Sequence, residues 1–102
     1  MFVAMNRFRV ARGTEAEFEE MWRSRDSQLG GVDGFRSFRL LKGDETENHT
    51  GYISHSTWES RAAFDAWMKS DSFRRAHAAV GSKREMYLGP PVFEGYESVV
   101  EQ

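Results

Sequence analysis

The spacing of apolar residues changes period along this chain, and the order of those changes is what most restricts the fold. From Phe2 to Val10 the period is two: Phe2, Ala4, Asn6, Phe8 and Val10 share one face and Val3, Met5, Arg7 and Arg9 the other, which predicts a strand. Phe18, Trp22, Arg25 and Leu29 then follow in steps of four, three and four, the spacing of one helix face. Ahead of them Thr14-Glu15-Ala16-Glu17 has the form of a capping box, with the Thr14 hydroxyl accepting from the backbone near Glu17 and Glu17 reaching back.

Gly30-Gly31-Val32-Asp33-Gly34 has the glycine content of a phosphate loop, but it follows a helix and precedes a strand, the reverse of the order such a loop requires. It reads as a helix stop and turn. Phe35 to Lys42 and Tyr52 to Trp58 are the next two strands, with polar Gly43 to Thr50 as the loop between them. His49 and His55 in this hairpin lack the spacing of a paired metal site.

Between Ser60 and Val80 the helical period returns twice. Phe64, Trp67 and Met68 form one stripe, and Phe73, Ala76, His77 and Val80 another. Ser60 is a candidate N-cap for the first helix. Ser70-Asp71-Ser72 stands between the stripes, and side chains of this kind compete for backbone hydrogen bonds and favour a helix start. A break there re-aims His77 relative to Trp67, so that an indole and an imidazole from two helices converge on one cavity. Gly81 to Glu85 is a polar loop, Gly89-Pro90-Pro91 punctuates, and Val92 to Val100 is the last strand.

The order strand, helix, strand, strand, helix pair, strand predicts an α+β, ferredoxin-like βαββαβ domain over residues 1–102, an antiparallel sheet with its helices on one face. A chain of 102 residues holds one core of this kind. The helix-facing row of the first strand then carries Asn6, a polar amide among apolar neighbours, into the layer where Trp67 and His77 also point. The opposite sheet face keeps Val3 and Met5, and an apolar face of this kind predicts a homodimer packed sheet against sheet.

Composition excludes several function classes. A formal charge of -2 without a basic block speaks against nucleic acid, and Arg7, Arg9 and Arg12 read as a solvated strand edge. No apolar run reaches the roughly 20 residues of a membrane span, and the first residues lack the order of a signal peptide, so the expected location is cytoplasmic. With no cysteine, there are no disulfides, thiolate ligands or thiol nucleophiles.

With Asn6, Trp67 and His77 in these positions, the sequence resembles the IsdG-type haem-degrading monooxygenases of the antibiotic biosynthesis monooxygenase superfamily. The likeness runs through M-F-V-A-M-N-R, G-V-D-G-F, T-W-E-S and F-D-A-W-M-K-S-D-S-F-R-R-A-H. It implies a dimeric α/β-barrel, with haem as both cofactor and substrate, opened by O2 and electrons from a reductase to release iron and a biliverdin-like linear tetrapyrrole. By the same resemblance His77 is the axial ligand of haem iron, Asn6 bonds toward iron-bound oxygen, and Trp67 presses on the porphyrin and ruffles it. Arg25 matches a basic position near the haem propionates, Trp22 lines the same wall, and Lys83 and Arg84 are candidates to close over the site. Two alternatives stay open: a cofactor-free monooxygenase of the same superfamily acting on a phenolic or polyketide substrate, and a haem carrier or sensor that binds through His77 without degrading its ligand.

Overall fold

The structure is a computed structural model that describes residues 1–24, 29–78 and 86–102, with the backbone alone for 76–78. Strands β1 (Phe2–Ala11), β2 (Phe35–Glu45), β3 (His49–Trp58) and β4 (Val92–Glu97) form one sheet in the order β2-β3-β1-β4, and every neighbouring pair is antiparallel. Helices α1 (Glu15–Ser24), α2 (Arg61–Met68) and α3 (Asp71–Ala78) complete the ferredoxin-like α+β plan that the order of periods predicts.

Three local expectations need correction. The Thr14 hydroxyl donates to the Ala11 carbonyl at 2.7 Å, and the Thr14 N–H also goes to Ala11, so the capping box does not form as read. Instead the Glu15 carboxylate accepts from the Gly13 N–H at 2.7 Å, the Arg12 Nε at 2.9 Å and the Thr50 hydroxyl at 2.8 Å, tying the start of α1 to β3. The predicted loop from Gly43 to Thr50 is mostly strand: β2 runs on to Glu45, β3 starts at His49, and Thr46 closes the hairpin through its N–H to the His49 carbonyl at 2.7 Å. Pairing with β3, with a register shift between Lys42 and Glu45, extends the ladder through residues that have little strand propensity of their own. At the other end β4 stops at Glu97, before Val99 and Val100, which are exposed.

The helix breaks fall where the sequence puts them. The Ser60 hydroxyl accepts from the Ala63 N–H at 3.1 Å and caps α2, and the Ser70 hydroxyl accepts from the Phe73 N–H at 3.1 Å and caps α3. Gly34, at φ +80, makes the turn into β2, and a Cβ there would lie 2.5 Å from the Ala63 Cβ. Glycine therefore lets this turn pack against α2.

Antiparallel register sorts the helix-facing side chains of the sheet into rows. Phe35, Trp58 and Phe2 form one row, and Lys42, Tyr52 and Phe8 another. Between them lie Phe38, Ser56, Ala4 and Gly95, then Leu40, Ser54, Asn6 and Phe93. The large rows nucleate two separate cores. Phe2, Ala4, Trp58, Phe64 and Leu29 make one, and Val10, Phe18, Tyr52 and Met86 the other. The middle of β1 and β3 carries only small side chains, too short to reach the helices.

Candidate functional site

A cavity of about 440 Å³ occupies that gap, within the size range of small-molecule sites, about 300–1,000 Å³. Its floor is Ala4, Asn6, Ser54 and Ser56, and its walls are aromatic, with Trp67, Phe73 and Phe64 on one side and Trp22, Phe38 and Tyr87 on the other. Among the described lining residues none is charged. A void with flat aromatic walls and a short polar floor suits a large planar ligand with one small polar group toward the sheet.

Asn6 sits half-buried at mid-floor and makes no side-chain hydrogen bond to any other described residue. The amide is open toward the cavity, with its N–H donors and its carbonyl acceptor both available to a ligand. Trp67 is fixed from three sides, its ring 5.5 Å from that of Trp58, 6.3 Å from Phe64 and 4.8 Å edge-on from Phe73. Its wall is therefore rigid. Trp22 stacks on Phe38 at 5.6 Å and 14° and meets the Phe8 ring edge-on at 5.9 Å.

The structure thus brings three sequence candidates, Asn6, Trp22 and Trp67, to one cavity. His77 belongs to α3, about one helical turn after Phe73, which lines the cavity, but its side chain lies outside the described residues. Arg25 lies outside them too, as do Lys83 and Arg84 in the polar loop. Sequence reasoning missed Ser54, Phe93 and Tyr87. Alternation along β3 and β4 would have found the first two. Tyr87 arrives through an isolated bridge to Val10 and a bond from the Leu88 N–H to the Arg9 carbonyl at 2.8 Å, neither of which leaves a periodic trace.

Behind the pair of Trp22 and Phe38 lies a second, more open hollow of about 340 Å³ lined also by Glu19, Arg23, Lys42 and Tyr52. Its charges are paired: Arg23 with Glu20 at 2.8 Å, and Lys42 with Glu19 at 3.7 Å and Glu45 at 3.5 Å. The Tyr52 hydroxyl donates to Glu19, and burial, reinforced by that carboxylate, pushes the phenol well above its ordinary range. Tyr52 is therefore a neutral structural donor. The remaining histidines stand apart from the cavity, His49 beside Thr46 and His55 opposite Met5 on the far sheet face.

The sequence profile of antibiotic biosynthesis monooxygenases matches residues 1–79. Over 89 residues the chain is 32% identical to heme oxygenase (staphylobilin-producing) 1 of Staphylococcus aureus, an alignment covering 87% of this chain and 82% of that protein. The heme-degrader MhuD of Mycobacterium tuberculosis, solved with two hemes in its active site, superposes with a TM-score of 0.75 at 27% identity over 100% of this chain and 99% of its own. SnoaB, a cofactor-independent oxygenase from Streptomyces nogalater, shares the fold with a TM-score of 0.69 at 18% identity, over 98% of this chain and 95% of its own. The first two bear out the IsdG-type resemblance, while SnoaB shares architecture alone. On the profile match and the Staphylococcus aureus relative, this chain belongs to the antibiotic biosynthesis monooxygenase family.

Proposed function

We propose that this monooxygenase-family chain binds haem and opens its ring with O2 and electrons from an external reductase, releasing iron and a linear tetrapyrrole. The observation that carries the reading is Asn6, an amide with no bond to a described side chain or backbone group, on the floor of an aromatic-walled cavity. The 32% identity to a haem oxygenase supports it. Bound haem supplies the redox-active iron and is itself the molecule degraded.

The chain's own residues hold, bend and shield. Trp67, braced by Trp58, Phe64 and Phe73, offers a surface that a planar ligand must yield to. Asn6 offers its amide N–H to a small ligand on the sheet side, and the apolar walls keep bulk water away and strengthen that hydrogen bond. In this reading His77 would hold the haem iron and Arg25 would pair with a propionate. The homodimer belongs to the same proposal. Exposed Leu41, Val92 and Tyr96 lie on the sheet face away from the helices, beside half-buried Val3, Met5 and Ile53, which supports packing of one copy against another.

The test is turnover. The purified chain loaded with ferric haem, given a reductant in air, is expected to lose its Soret band while chelatable iron and a linear tetrapyrrole appear, the latter identified by mass. Retention of intact haem would instead mark a carrier or sensor. Failure to take up haem, with O2 consumed on adding a phenolic polyketide, would mark the cofactor-free chemistry.

A further inference from the structure

Two serines on the helix-facing side of β3 differ in what they are bonded to. The Ser56 hydroxyl accepts from the Trp58 indole at 3.0 Å and reaches the Ala4 carbonyl at 3.4 Å, so the fold already uses it. Ser54, only 7% exposed, makes no side-chain hydrogen bond to another described residue, yet it lines the cavity. In the antiparallel register it stands directly opposite Asn6, and side chains so placed have Cβ atoms about 4.5–5.5 Å apart on one face. A hydroxyl and an amide, both open toward the same void, therefore lie side by side on the floor of the cavity.

Neither group is sealed off from the cavity, and two adjacent polar groups facing one void mark a place where a ligand completes the hydrogen bonding. We propose that Ser54 and Asn6 act as a two-donor clamp for one small polar ligand, a water, hydroxide or small anion, on the sheet side of the bound plane. The proposal rests on the haem reading above and adds to it a residue that touches the distal ligand.

The test uses the full chain loaded with ferric haem and fluoride as the probe, a hard anion whose affinity and charge-transfer band report hydrogen-bond donors around the iron. Ser54→Thr and Ser54→Val differ in the hydroxyl at nearly constant shape, which separates donation from packing. Ser54→Thr is expected to bind fluoride within about threefold of wild type, and Ser54→Val about tenfold more weakly with a shifted band, as for loss of one bond to an anion. Haem affinity should differ little between the two. Equal fluoride affinity in both variants, or a loss of haem affinity in Ser54→Val as large as its loss of fluoride affinity, overturns the clamp while the haem reading stands. A wild-type chain that takes up no haem overturns both.

Discussion

At the two ends of the sheet's helix-facing surface the cross-strand rows are large, with Phe35, Trp58 and Phe2 at one end and Lys42, Tyr52 and Phe8 at the other; between them β1 and β3 contribute alanine, asparagine and serine. The end rows bury aromatic surface into two cores, and the middle rows leave a cavity. Stability and ligand capacity are thus assigned to the ends and the middle of one face of the same strands. A single hydrophobic core filling this layer would have no room for a substrate.

That division can be attacked from either side. Trp58→Ala, which empties a site packed against Phe35, Phe64 and Trp67, is expected to lose about 3–5 kcal/mol of unfolding free energy in urea denaturation. A loss below about 1 kcal/mol would mean the end rows do not carry the fold. Asn6→Ala, in a middle row, is expected to keep its stability and its haem while turnover falls on the order of 100-fold, measured as the rate of iron release. Wild-type turnover in that variant would remove the amide from the chemistry. Ala4→Leu pushes a branched side chain into the floor: haem affinity should drop at least about tenfold, with stability lowered by no more than about 1–3 kcal/mol. A variant that binds haem normally would place the ligand elsewhere.

The smallest effect belongs to the edge of the site-bearing layer. The Glu15 carboxyl is held down to about 2 by the N–H at Glu15 and the Thr50 hydroxyl, opposed by burial and helped further by the Gly13 and Arg12 donors. A carboxyl lowered on folding stabilises the protein above its unfolded value of 4.5, and that contribution fades as pH falls toward 2. Glu15→Gln should therefore lower the urea midpoint slightly at pH 7, and the gap should close as the pH is brought down through that window. A gap that persists at the acid end would show that the carboxylate's charge is not what ties α1 to β3.

Where one element decides its own structure, the sequence reads directly. The alternation of β1, the Ser60 cap and the break at Ser70-Asp71-Ser72 depend on neighbours in the chain, and each appears where its local chemistry puts it. Features that two elements make together do not read this way. Gly43 and Asp44 are carried into a strand by the pairs on either side of them, Lys42 with Tyr52 and Glu45 with Thr50, and Glu15 rather than Thr14 organises the start of α1 because Thr50 reaches it across 35 positions. The cavity belongs to this second kind. Asn6 and Trp67 each looked unusual alone, but the emptiness between them comes from Ala4, Ser54 and Ser56 falling in adjacent rows, a coincidence visible only once the register is known. Ser54 gave no signal by itself, since a serine on a strand is ordinary until its hydroxyl is found without a partner among the described residues.

In the proposed function a planar iron-bearing ring fills the middle rows and His77 of α3 would hold its iron. Titrating ferric haem into the wild-type chain and into His77→Ala, following the Soret band and the ferric spin signal, decides between this and its absence. Saturable uptake by the wild type with an axial-histidine signature, absent from the variant, is the expected result. Identical spectra in the two proteins, or no uptake by the wild type, would contradict it.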